Sequence, residues 1–467
     1  MNNNHLKDNV CLMSRRDAIY NNQITEGVIW KQLLAFFFPI VLGTLFQQLY
    51  NTADAIIVGQ LLGKEALAAV GGGTGTAISL LIGFFTGLAS GATVIISQYY
   101  GARDEERVRL SVHNAVAIAL YGGIAVSVAG YFTAEPLLRL IKTPDDIIPL
   151  AARYMRIYFA GGILIVMYNM GSGIFRAFGD SRSPLMFLIA GCIANIVLDI
   201  LFVGVLKMDV EGAAYATVLS QAVSLFMVVL KLRKRDDCCR LEYRRIRTDK
   251  VMLQKTIAIG LPAGIQSTMY TISNLIIQAN INGFGTDAAA AWAAYGKLDS
   301  FFWMIISAFG IAITTFVGQN YGAGLIDRAR RGVRQCLALS VVFTAVLEAV
   351  YIGFGRYGFM LFTHDENVIE TGRVMLNAIA PYFFTFICVE ILSGAIRGTG
   401  KSLLPTLFSV FGICGLRMLW LAAVSPSIGT ITGVVACYPV TWTFTSLLFV
   451  VYYLAGDIYG TRKGRVQ

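Results

Sequence analysis

Two aspartates stand in this sequence where water is not expected. Asp54 lies in YNTADAIIVG (50–59) and Asp199 in NIVLD (195–199), each inside an apolar run long enough to cross a bilayer. An ionised carboxylate at bilayer depth costs roughly 2.5 to 3.5 kcal/mol on insertion scales, so each is expected to be protonated, paired or bound to a cation. Their neighbours are polar at helical spacing. Thr44, Gln47, Asn51 and Asp54 recur every three or four residues and so share one helix face. Asn195 precedes Asp199 by four residues, and Thr217, Ser220, Gln221 and Ser224 make a third stripe in the next apolar run. A carboxylate and an amide oxygen on one face can hold a proton or a small cation. Hydrogen bonding between helices would also explain the hydroxyls and amides, but it explains two separate acids poorly. The three stripes predict one shared polar cavity, in which the two acids would exchange protons as a coupled unit.

The second half of the chain offers a different set. Glu390 is its clearest mid-span carboxylate, while the seventh apolar run, with Gln266, Tyr270 and Asn274 spaced by four, has no acidic partner for it. Lys297, Asp299, Glu348 and Arg417 also fall in or near spans. Lys297 and Asp299, two apart and not facing each other, are each expected to pair structurally with another helix, and Glu348 reads as a solvated span end. AIRGTGKS (395–402) satisfies a relaxed phosphate-loop pattern, but it follows a membrane span rather than a buried strand, so ATP is not expected here.

The elements that position these residues follow from composition. Of 467 residues 56% are hydrophobic and only 14% charged, against about a quarter charged in soluble domains, which makes this an all-α integral membrane protein. Apolar stretches predict twelve spans, at 31–59, 66–99, 111–133, 152–177, 184–206, 211–232, 253–281, 287–320, 335–357, 373–396, 404–424 and 429–455. With the N-terminus in the cytoplasm, the cytoplasmic segments collect 28 Lys and Arg against about 8 elsewhere, which orients a multi-pass protein in the plasma (inner) membrane with both termini cytoplasmic. The expected layout is an N-terminal tail (1–28), a six-helix bundle (29–232), a flexible basic linker (233–250), a second six-helix bundle (251–456) and a C-terminal tail (457–467). The net charge of +10 serves orientation, and without a basic patch interleaved with aromatics no nucleic acid is expected. Eight scattered cysteines and three scattered histidines predict neither a disulfide framework nor a transition-metal site.

The halves repeat. SGIFRAFGDSRSP (172–184) returns as SGAIRGTGKSLLP (393–405), and Gln98, Tyr100, Gly101 and Ala102 return as Gln319, Tyr321, Gly322 and Ala323, all at an offset of 221; Pro39 returns as Pro262 at 223. Six spans per copy relate the bundles by an axis along the membrane normal, with substrate sites between or within them. At the repeat positions of Asp54 and Asp199 the second half has Ile277 and Trp420, and Glu390 falls where the first half has Asn169.

This repeat, with FPIVLGTLFQQLYNTADAIIVGQLLG in the first span, QYYGA and QNYGA at the ends of the second and eighth, and the paired SGxxRxxGxS stretches, resembles the multidrug and toxic compound extrusion (MATE) family of cation-coupled exporters. The resemblance implies two six-helix bundles around a central cavity and exchange of H⁺ or Na⁺ for amphipathic, cationic drugs or metabolites. It implies a cation site at Asp54, Asn195, Asp199, Thr217 and Asn169, a helix-bending proline at Pro39, and substrate-cavity residues among Gln47, Asn51, Tyr270, Asn274 and Glu390. No cofactor beyond the coupling ion is expected, any Na⁺ sitting at Asp54, Asn195 and Asp199, and the transporter is expected to act as a monomer. A lipid-linked precursor flippase of related architecture is the alternative. An embedded enzyme would need a nucleophile and base or paired metal ligands, and a channel a repeated filter; neither pattern is present.

Overall fold

The computed structural model describes residues 24–141 and 143–460, so the greater part of each expected tail lies outside the described residues. Among the described residues ten helices are long and apolar enough to cross a membrane, eleven if the pair Ile148–Ala160 and Gly162–Ala177, bent by 50°, counts as one span. The expected seventh span is filled by Lys250–Asn282, 33 residues long. At 1.5 Å per residue it is about 50 Å in length, but Gln266, Ser273, Asn274 and Gln278 make it too polar to pass on composition alone. Aspartates open several spans. Asp104, Asp209, Asp249 and Asp365 each accept a backbone N–H at the start of the third, sixth, seventh and tenth, offsetting the unpaired donors of a helix N-terminus.

The buried side chains form two main cores. One gathers residues from Ala69 to Leu241, the other residues from Ile277 to Tyr459. The first span, Ile29–Leu62, touches both halves of the chain. Its early residues Ile29, Leu33, Phe36 and Phe37 pack into the core of the second half, where the Phe37 ring stacks on Phe309 at 4.1 Å between centroids and meets Phe343 edge-on at 5.0 Å. From Gly43 on it touches the first half instead, Gly43 lying against Leu185 and Leu188 and Val58 joining a cluster with Tyr154, Val203 and Val210. Pro39 sits at the handover. Lacking an N–H, it leaves the Ala35 carbonyl without its helical donor, so the helix is weakest where it passes from one lobe to the other.

Lipid is as apolar as leucine, so the lobes are held by close packing rather than by dehydration. Gly83, Gly87 and Gly91 of the second span (Gly73–Gly101) face Ser267, Gly264 and Gly260 of the seventh in turn, and a methyl group on any of these glycines would overlap atoms of the facing helix. The repeated motifs close the same end. Gln98 Nε2 donates to the Gly398 carbonyl at 2.8 Å, and Gln319 Nε2 donates to the Ala177 carbonyl at 2.6 Å, the same bond made twice at the repeat offset of 221. Gly101 lies against the Gln319 backbone and Gly322 against that of Gln98, with no room for a β-carbon at either. Gly179 and Gly400, in the FGDS and TGKS turns, take φ of +89° and +90°, conformations that favour glycine. Gly75, towards the other end of the second span, faces open space.

The basic linker is not a flexible connector. Cys239 and Leu241 are buried, the Leu241 N–H bonds to the Leu232 carbonyl, and the third span (Glu105–Leu140) holds the segment through His113 and Asn114. His113 Nε2 accepts the Glu242 N–H at 3.0 Å while Nδ1 sits 2.7 Å from the Arg109 carbonyl, so the ring acts as the neutral Nδ1–H tautomer; Asn114 Oδ1 accepts the Asp249 N–H at 3.1 Å. An isolated histidine that reads as inert in the sequence is the fastening of the linker.

Candidate functional site

The first half brings its two acids together. Asp54, near the end of the first span, and Asp199, the last α-helical residue of the fifth (Arg182–Asp199), lie within close electrostatic reach of each other. Beyond Asp199 the fifth span widens into a π-helical turn, Ile200–Val205, a rewinding that recurs at functional sites because it re-aims side chains. Asn195 and Asp199 are 1% and 0% exposed, so neither can take a hydrogen bond from bulk water. Within the protein no donor reaches Asp54 Oδ1 or either Asp199 oxygen, and both amide atoms of Asn195 are without partners. Buried polar atoms left this way are costly, and a cluster of them calls for a ligand. The donors are all hard oxygens, from carboxylates, an amide and a hydroxyl, which suits H⁺ or Na⁺ and not a soft transition metal.

The sequence reading missed the aromatic wall. Tyr50 lies within electrostatic reach of both acids and Tyr154 of Asp54, Tyr154 and Tyr158 stack at 6.2 Å, and the Tyr154 hydroxyl faces Thr217. Their spacing of four along the fourth span was the available signal, but tyrosine in an apolar run reads as core. Thr217 gives its own proton to the Ala213 carbonyl at 3.0 Å, leaving its oxygen lone pairs for the pocket. Asn169, placed in the cation site by resemblance, donates from its amide to the Ile165 carbonyl of its own helix at 2.9 Å. Gln47 and Asn51 are exposed on the first span, while Asp54, on the same stripe, is buried.

The second half is arranged otherwise. Gln266 donates to Ser409 Oγ at 3.1 Å and to the Tyr270 hydroxyl at 3.2 Å. Glu390 packs against Gly310, within electrostatic reach of Arg397 and Tyr270. Asp299 makes no interhelical ion pair among the described residues. Asp299 instead accepts the Trp303 indole N–H at 2.6 Å and the Tyr295 hydroxyl at 3.2 Å, each four residues away on the same helix face, whereas Lys297 is exposed. Arg417 is 3% exposed; its Nη1 donates to Ser273 Oγ at 3.0 Å and to Asn274 Oδ1 at 3.1 Å.

The MatE family model matches residues 39–201 and 262–421, two segments that begin at the repeat-related prolines. The probable multidrug resistance protein YpnP of Bacillus subtilis is 32% identical over 434 residues, 92% of this chain and 96% of its own. A protein of Shewanella oneidensis named an FAD transporter is 25% identical over 445 residues, 93% and 96% of the two chains. A solved MOP-superfamily transporter of Pyrococcus furiosus shares the fold with a TM-score of 0.87 over 94% of this chain and 98% of its own, at 23% identity. These matches do not favour the flippase alternative.

Proposed function

From the premise that this chain belongs to the MATE family of multidrug efflux transporters, we propose that it is a secondary antiporter that exports amphipathic, cationic solutes in exchange for H⁺ or Na⁺. Members of the family are membrane transporters of small molecules rather than enzymes. The observation that carries the coupling step is the facing pair Asp54 and Asp199, with buried oxygens that no protein donor reaches.

In this reading the cycle follows from the first helix. A proton or Na⁺ arriving from outside neutralises the pair and draws the outer half of the first span towards the fifth and sixth. The inner half, stacked through Phe37 on Phe309, stays with the second lobe, so the adjustment falls at Pro39. Coupled exchange requires cation and drug to favour different states, and inverting a population takes about 5.5 kcal/mol of differential affinity. Neutralising buried carboxylates is one of the few local events of that size. In the same reading the protein lies in the plasma membrane with the joined end of the lobes and both termini in the cytoplasm, an orientation that the positive-inside bias supports. The lobes then open outward in this conformation, and the pathway runs past the exposed Gln47, Asn51 and Asn274 and the half-buried Tyr270 and Glu390.

Efflux of a fluorescent cation from vesicles containing the purified protein, under pH and Na⁺ gradients imposed separately, tests this. Asp54→Asn imitates the neutral pocket permanently; it should fold but not concentrate the dye, Asp199→Asn should behave alike, and the double variant should be no worse than either. Near-normal concentrative efflux by Asp54→Asn would remove the pair from coupling.

A further inference from the structure

The duplicated cation pocket has a counterpart in the second lobe, and its charge is inverted. At the repeat offsets, Tyr50 and Asn51 correspond to Ser273 and Asn274, and Thr217 corresponds to Tyr438. These three second-lobe residues surround Arg417, which lies one position beyond the equivalent of Asn195. Its guanidinium donates to Ser273 and Asn274 and rests 4.4 Å from the centre of the Tyr438 ring. The first lobe builds this place around two carboxylates and the second builds it around a cation.

Arg417 has only neutral company. It is the fifteenth residue of the 26-residue span Leu403–Ile428, so it sits at mid-membrane, too deep to reach either surface. No carboxylate lies within 4 Å of it among the described residues, and its Nε has no hydrogen-bond partner. Asp299, whose charge also bears on Tyr438, is engaged by Trp303 and Tyr295 instead. A buried guanidinium is retained against its desolvation cost when something compensates it, and its planar fork of donors matches an oxyanion. The backbone is adapted around it. π-Helical turns, Val410–Gly415 and Trp420–Val424, flank the short α-helix that carries Arg417, as a π-helical turn follows Asp199 in the first lobe. Asn274, one of Arg417's own partners, is exposed. Trp292 lies 6.2 Å from Tyr438, offering an aromatic face beside the charge.

We propose that Arg417, with Ser273, Asn274 and Tyr438, forms an oxyanion-binding pocket that takes the phosphate, sulfonate or carboxylate group of a planar aromatic solute. The proposal extends the export reading to the substrate's own charge and depends on it only in treating the ligand as cargo. Binding is measured without transport, so failure here leaves the cation cycle standing.

The probes are flavin mononucleotide and riboflavin, which share a ring system and differ by one phosphate, titrated by fluorescence quenching onto the purified full chain in phosphatidylcholine nanodiscs. The wild-type protein should bind flavin mononucleotide at least tenfold more tightly than riboflavin. Arg417→Gln should reduce that preference to near unity, with little change for riboflavin, and Arg417→Lys, a point charge without the fork, should narrow it. If Arg417→Gln does not fold, Arg417→Lys and the wild-type preference still decide. Displacement of flavin mononucleotide by millimolar inorganic phosphate would assign the pocket to the bare oxyanion, and resistance to it would assign the pocket to the organic one. Equal wild-type affinity for the two flavins, no saturable binding of the mononucleotide, or a preference that survives Arg417→Gln would overturn the proposal.

Discussion

Removing one amide from the clasp between the lobes should shift the conformational equilibrium by a calculable amount. Gln319 is 0% exposed and its Nε2 is the donor to the Ala177 carbonyl. Gln319→Ala deletes the donor and leaves that carbonyl unpaired among packed helices, at a cost of about 2 kcal/mol for a buried acceptor. If the bond exists only while the lobes are joined at this end, the ratio of joined to parted molecules falls about thirtyfold, at 1.4 kcal/mol per decade. Gln98 is only half-buried, so its bond to the Gly398 carbonyl is worth about 1 kcal/mol and Gln98→Ala should shift the ratio about fivefold. The two bonds share the Gly101 and Gly322 contacts, so the double variant need not be additive. The distance between spin labels at Glu106→Cys and Asp327→Cys, both exposed at this end, reports the two populations by double electron–electron resonance in a background lacking the native cysteines. A distance distribution in Gln319→Ala that matches the unsubstituted pair would refute the assignment of these motifs to a clasp.

Further outcomes follow from the same packing. Pro39→Ala restores a donor to the Ala35 carbonyl and removes a helix defect worth about 3 kcal/mol, so thermal stability should rise while efflux slows; unchanged efflux would show that the helix does not bend there. Gly260→Ala would place a β-carbon 2.6 Å from the Leu88 carbonyl oxygen, and overpacking of that kind should lower stability by about 1 to 3 kcal/mol, read as a drop in melting temperature in detergent. Tyr243→Cys, at an exposed linker residue, should react with a membrane-impermeant maleimide in inverted vesicles but not in intact cells; ready labelling from outside would reverse the orientation.

What was legible in the sequence was whatever a bilayer makes expensive. Asp54 and Asp199 announced themselves because an apolar span has no inexpensive use for a carboxylate, and the structure brings the two face to face. Tyr154 and Tyr158 were not legible because a tyrosine is at home in a span, and only three-dimensional neighbourhood makes it a pocket wall. Asp299 was misread for a related reason. A charge inside a span suggested a partner on another helix, whereas its partners, Trp303 and Tyr295, are the neighbours that its own helix turn provides. The linker's charge pointed to solvent, and nothing in its composition revealed that one histidine on a distant span would hold it. Gly83, Gly87 and Gly91 did carry a readable small-residue spacing, but not the identity of the helix it would face.

The repeat itself is kept strictly in one place and loosely in another, and the division has a mechanical sense. Where the lobes meet, bonds recur at an unchanged offset, Gln98 to Gly398 and Gln319 to Ala177, because a joint between two rocking bodies is made of both bodies at once. A change on one side alone would strand a donor or a carbonyl on the other. The pockets lie within single lobes and carry no such constraint. The first holds two carboxylates and the second a guanidinium, and neither is paired with its symmetry mate. Keeping the joint while the pockets diverge leaves one frame carrying two pockets of opposite charge. The first span, whose early residues pack with the second lobe and whose later residues carry Asp54, is the shortest physical route by which a change in one lobe can be felt in the other.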